Sequence, residues 1–287
     1  MLGKLFRPIV ADAREKFEKF FFAEEAPYAI AMTRIYLPLV IVGVMLHRWY
    51  YARELYTADG APAPLADNFG YWNWLPVLPG WAGVALYSLM IFLLFTASIG
   101  WYSRCSLAGS AILYAYFGLI DQLSTINKYT VIATHVLLLL SVSDCGAVWS
   151  LDSWLARRGK RNTWPGAAPV DVRKSAVWPR RLIQILCGVI YFGAAMTKIH
   201  TPSFFSGDQL IYWMMTHFNW SHPVGDLLTQ FPSLVVAMCY VTIVWEMTFL
   251  FCSWKGWSRV VYVWLGVVFH AMTALTLGLL IFPLVMY

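Results

Sequence analysis

Residues 80 to 99 run without one charged side chain, and six other stretches come close to the same condition. No other feature constrains the fold as strongly. At 1.5 Å rise per residue, a helix of about twenty residues spans the roughly 30 Å hydrocarbon core of a bilayer. Backbone polar groups in that core need internal partners, and an α-helix supplies them within one segment. The runs predict spans at 28 to 46, 80 to 99, 105 to 120, 129 to 146, 182 to 199, 233 to 253 and 259 to 285, the last kinked or split. Composition agrees: 60% of the 287 residues are hydrophobic, 13% are charged, and the mean hydropathy is +0.60. These values lie outside the range of soluble domains. The expected fold is an all-α integral membrane protein with about seven transmembrane helices in residues 28–287.

Residues 1–27 read differently. Phe6, Ile9, Val10, Ala13, Phe17, Phe20 and Phe21 fall on one helical stripe, while Arg7, Asp12, Arg14, Glu15, Lys16, Glu18 and Lys19 occupy the other face. The pattern predicts an interfacial amphipathic helix lying on the membrane. Charges of both signs replace the apolar core of a signal peptide, so no cleavable leader is expected.

The net charge of +6 does not indicate nucleic acid, because the basic residues cluster in loops beside the apolar runs. With seven crossings, the loops on the amino-terminal side hold 16 Lys and Arg and the opposite loops hold three; Arg34 and Lys198 lie within spans. Cytoplasmic loops carry such an excess, which predicts a cytoplasmic amino terminus in a bacterial inner membrane or an equivalent insertion geometry. The five cysteines are widely separated and show no CxxC spacing, so neither a disulfide framework nor a metal site follows.

The two long outer connections, 47 to 79 and 200 to 232, are rich in aromatics. Trp49, Tyr50, Tyr51, Tyr56, Tyr71, Trp72 and Trp74 lie in the first, and Phe204, Phe205, Tyr212, Trp213, Phe218 and Trp220 in the second. Such rings favour the headgroup level, so these segments are expected along the outer interface, as an aromatic belt or as a roof over the bundle.

Ionisable groups at bilayer depth need a partner, a water-filled cavity or a route to the interface. Arg34 in the first span and Glu246 in the sixth lie at comparable depth and are expected to form a structural ion pair. His135 and His270 could ligate a b-type haem axially, but their predicted depths differ. Neutral histidines hydrogen-bonded between helices are the simpler reading, and haem is not expected. Lys198 closes the fifth span near the outer edge, where snorkelling explains it. Alternatively, Gly193, Ala194 and Ala195 let helices pack around the amine and desolvate it into a general base. Asp121, Gln122, Asn127, Lys128, Tyr129, His135, Lys198 and His200 all map to the outer half, where a pocket should be sought.

The segment YFGAAMTKIHTPSFFSGDQLIYWM, residues 191–214, resembles the lysine-bearing helix of the vitamin K-dependent γ-glutamyl carboxylase family, part of the horizontally transferred transmembrane (HTTM) superfamily. WSLD at Trp149–Asp152 and FHAMTALTLGLLIFPLVMY at the carboxyl end, with Phe269, His270 and Met272, extend the resemblance to about half the chain. In that family a neutral lysine deprotonates vitamin K hydroquinone, and an oxygenated product then removes a γ-proton from glutamate before carbon dioxide is captured. The resemblance implies that Lys198 is the base, that Asn127 and His270 help hold a quinone-type cofactor, and that Tyr129 and His135 assist. Where the family has Asn-Asn-His, this chain reads Asn127, Lys128, Tyr129. The chain also stops at Tyr287, whereas the carboxylases continue into a luminal domain. Carboxylation of a tagged protein is therefore not expected.

Two functions follow as expectations. In the first, the protein binds membrane lipid or a quinol near Lys198 and performs base chemistry on it. In the second, the core is a structural or assembly subunit with membrane protein partners.

Overall fold

The computed structural model describes residues 2–64, 75–121, 128–161, 174–216, 222–279 and 281–286. Asn127 lies outside them, as do Gln122, Tyr71, Trp72, Trp74, Phe218 and Trp220. The chain divides into two compact units, residues 1–183 and 184–287.

In the first unit, helix α1 (Leu2–Phe22) leads to strand β1 (Glu24–Glu25). Helices α2 (Tyr28–Trp49), α3 (Ala52–Tyr56), α4 (Gly80–Ile99), α5 (Ser103–Ile120), α6 (Lys128–Ser141) and α7 (Leu151–Arg161) follow, then strand β2 (Ser175–Ala176). The two short strands pair antiparallel, Glu24 opposite Ala176. Helix α8 (Trp178–Ile199) belongs to the second unit from Gln184 onward. That unit adds α9 (Pro202–Phe205), α10 (Asp208–Met215), α11 (Pro223–Thr229), α12 (Pro232–Cys252), α13 (Gly256–Leu277) and α14 (Ile281–Met286).

Five of these helices, α2, α4, α8, α12 and α13, are long and apolar enough to cross a bilayer. Apolar side chains on their outer faces, such as Phe92 and Phe95 of α4 and Val241 and Val244 of α12, are exposed, as lipid-facing surface demands. Helix α5 occupies the third predicted span and carries Arg104 and three serines. The fourth predicted span, 129 to 146, ends early, at Ser141. There Ser143 Oγ donates to Leu140 O at 2.8 Å and Cys145 N–H donates to Ser143 Oγ, so side chains take over from the helical ladder. The last predicted span divides at Gly278, whose φ of +67° closes α13 with N–H donation to Ala274 and Thr273 carbonyls.

On α1 the charged face is laced by Lys16–Asp12, Lys19–Glu15 and Arg14–Glu18 pairs at i,i+4 spacing. Arg181 ties its end down, donating to Phe20 O and lying 4.7 Å over the Phe20 ring. Helices α2, α4, α5 and α6 pack as a bundle around aromatic side chains. Tyr56 stacks on Tyr87 at 5.1 Å, Phe117 meets both edge-on, and the Tyr87 hydroxyl donates to Met45 O. Tyr56 is therefore core, not part of an interfacial belt, whereas Tyr50 is exposed. In the second unit the connection after α8 forms three short helices that pack on α12 and α13 through Phe204, Met214 and Gly225.

Candidate functional site

The second unit holds its site where α8 faces α12. The helices approach closely at Gly188, where an added Cβ would lie 3.1 Å from Leu250 Cα. Gly188 meets Leu250, Tyr191 packs on both Phe249 and Trp245, and Lys198 reaches Glu246, so the later residues of α8 have partners earlier on α12 than Leu250. The helices are therefore antiparallel, and Lys198 reaches toward a residue deeper along α12 than its own level. A helical side chain leans toward its own amino terminus, and here that direction is inward. Snorkelling to the interface would require the opposite course.

Lys198 Nζ lies 2.7 Å from both Glu246 carboxylate oxygens. This is a short, charge-assisted contact. The two partners differ in access: the lysine side chain retains 23% of its exposure and the glutamate 3%. The Phe204 ring flanks the amine at 5.6 Å. Cys239, Ile243 and Glu246 recur at i, i+4, i+7 on α12, and the first two join Phe204, Met214, Val235 and Leu277 in an apolar cluster beside the pair. Of the small residues Gly193, Ala194 and Ala195 expected to let helices close around the lysine, Ala195 is fully buried, whereas Gly193 is exposed and an added Cβ there would meet nothing within 4 Å. The close backbone approach to α12 is at Gly188.

Two turns below Lys198 on the same face of α8, the Tyr191 hydroxyl lies 2.8 Å from His270 Nε2. Both residues are buried. Trp245 and Phe249 pack on the Tyr191 ring at 4.8 Å, and Trp245 also packs on Phe269 and donates to Tyr262 O. His270 is thus fixed between helices by a residue the sequence reading missed; the seven-residue spacing from Tyr191 to Lys198 was the available signal.

Arg34 and Glu246 do not pair as the sequence suggested. Glu246 is taken by Lys198, and the fully buried Arg34 is held by four backbone carbonyls in the first unit. Its Nη1 donates to Ala97 O at 2.9 Å and Ser98 O at 2.7 Å, Nη2 to Trp149 O at 2.6 Å and Nε to Cys145 O at 3.3 Å. The fork of the guanidinium suits several fixed acceptors at once. Gly100, with φ of +74°, leaves room for it, since an added Cβ would sit 2.6 Å from Nη1. WSLD forms the adjoining knot. Trp149 gives its carbonyl to Arg34, Ser150 Oγ caps α7 by accepting from Ser153 N–H, and Asp152 accepts from the N–H groups of Tyr102 and Ser103 at the start of α5.

Tyr129 and His135 belong to the first unit. Tyr129 is half-buried, and His135 is exposed with Nδ1 2.7 Å from Val131 O of its own helix. Among the described residues no group of three or more His, Cys, Asp or Glu is placed to hold a metal ion. All five cysteines are free thiols.

Neither curated proteins nor solved structures yield a match. The HTTM domain matches residues 22–287, taking in every long apolar helix together with Lys198, Glu246 and His270, and the chain therefore belongs to the HTTM family.

Proposed function

We propose that the protein crosses the membrane seven times, α5 and α6 included, with its amino terminus in the cytoplasm of a bacterial-type inner membrane. Its second unit binds a quinol or related lipid beside Lys198, which acts as general base. The charge asymmetry of 16 Lys and Arg against three supports the orientation. The observation that carries the site is the unequal access to the Lys198–Glu246 pair, whose amine is partly open while its carboxylate is closed.

At 2.7 Å a proton can pass from the ammonium to Glu246 without any change in net charge. Glu246 thus serves as proton store, and the neutral amine presents its lone pair on the open side. The buried Phe204 ring backs the amine on its closed side, so a ligand would approach from the exposed side. A bound quinol would supply an acidic phenolic O–H, and Lys198 would accept that proton. Tyr191 and His270, two turns deeper, hold the bundle in register and are assigned a positioning role.

Native mass spectrometry of the gently solubilised protein tests this reading. Wild type should retain a quinone-sized ligand that Lys198→Ala loses, while Glu246→Gln, which keeps volume and hydrogen bonding, should bind it without turnover. Equal ligand retention by wild type and Lys198→Ala would sink the reading and favour a structural subunit.

A further inference from the structure

From the first unit we infer that the knot around WSLD builds a binding site for one anionic phospholipid, independent of the Lys198 site. An open cleft of about 600 Å³ lies where α2 starts and α4 ends. That volume is within the roughly 300–1,000 Å³ of ordinary ligand sites. Tyr28, Trp149 and Trp154 supply aromatic walls, Ile99 an apolar floor, and Ser153 and Arg157 the polar side. The lining holds a cation and no carboxylate, because nearby Asp152 is turned to the N–H groups of α5. Among the described residues neither Arg157 nor Arg158 forms an ion pair, and Arg158 lies 5.1 Å over the Trp154 ring. Charge complementarity therefore favours an anionic group.

The occupant is a lipid rather than a soluble phosphate because the walls are interfacial. Trp149, Trp154 and Leu155 are exposed, and indole rings at the end of a span favour the headgroup level. The backbone adds an independent sign. Trp149 has a φ of +51°, a conformation that non-glycine residues rarely hold unless surrounding contacts over-determine it. Arg34, donating to the Trp149 carbonyl, is that contact, and the indole it fixes lies 5.1 Å from the Tyr28 ring at the cleft. A strained, clamped tryptophan is a preorganised wall, and Arg157 completes it with a fork suited to phosphate oxygens.

The test exchanges the full-length protein in mild detergent into phosphatidylglycerol or phosphatidylcholine and counts retained lipid by native mass spectrometry, with the melting curve as a folding control. Wild type is expected to keep one phosphatidylglycerol in preference to phosphatidylcholine by about tenfold, the scale of one charge-assisted contact. Arg157→Glu should abolish the preference, and Arg157→Gln, the milder change should a reversed charge impair folding, should remove most of it. Trp154→Ala should weaken both lipids alike. Equal retention of the two lipids by wild type, or an undiminished preference in Arg157→Gln, overturns the proposal. Displacement of phosphatidylglycerol by millimolar inorganic phosphate overturns it in favour of a soluble anion site.

Discussion

Each unit places a cation among apolar helices, and the two hold it differently. Arg34 in the first unit is fully buried and held by four backbone carbonyls. Lys198 in the second keeps 23% of its side-chain exposure and is held by one carboxylate. Carbonyls cannot accept the charge, so the arginine cage is permanent and structural. A carboxylate can accept a proton, and the proposed base chemistry at Lys198 rests on that difference. The contrast separates a cation held by groups that cannot titrate from one held by a group that can.

The largest expected effect tests the cage. Arg34→Met removes several charge-assisted bonds and strands buried carbonyls, which should cost at least about 4 kcal/mol and abolish the folded form in a thermal melt. Arg34→Lys, a point charge without the fork, should recover less than half. If Arg34→Lys melts with wild type, the cage needs only a charge and the contrast with Lys198 fails.

A double-mutant cycle sharpens the other half. Lys198→Met or Glu246→Met alone leaves an unpaired ion and should cost about 3 kcal/mol, whereas the double variant should cost less than either single change. Strictly additive losses, read from denaturant or thermal unfolding, would mean that the two groups are uncoupled and would remove the basis for a proton store.

The smallest effect concerns an exposed pair at the opposite end of the first unit. Arg53 donates to Asp59 at 2.9 and 2.7 Å, and with the Gly80 N–H it holds that carboxyl below its ordinary value of 3.8. A lowered carboxyl stabilises above its ordinary value, and the contribution is lost as pH falls through the folded value. Protection from hydrogen exchange over residues 53–61, taken relative to the intrinsic rate at each pH, should therefore fall below about pH 3.8, and Asp59→Asn should erase that dependence. The four carbonyl oxygens around Arg34 carry no titratable group and should show no such step; one appearing there would contradict the cage.

The apolar runs made the helices legible, because length and the absence of charge are both written along the chain. Their ends were less so. Ser141 and Ser143 stop α6 through local hydrogen bonds that a hydropathy window averages away. Pairing was the least legible. Arg34 and Glu246 matched in depth, but depth fixes height along a helix and leaves the direction of the side chain open. Lys198 stood out in the sequence as a cation inside a span, yet its partner depends on the register of α8 on α12, which no local pattern announces. Backbone carbonyls are invisible in a sequence by nature, so an arginine satisfied by them can only be matched, wrongly, to the nearest acid.

That invisibility extends to descent. The four groups that bind Arg34 belong to Ala97, Ser98, Cys145 and Trp149 only through their main chain. Replacing any of those side chains leaves its oxygen in place, provided the chain still turns at Gly100 and Trp149 as it does here. Relatives can thus drift at all four positions while keeping the same cage, and the lasting mark of this architecture would be a solitary arginine facing two left-handed turns.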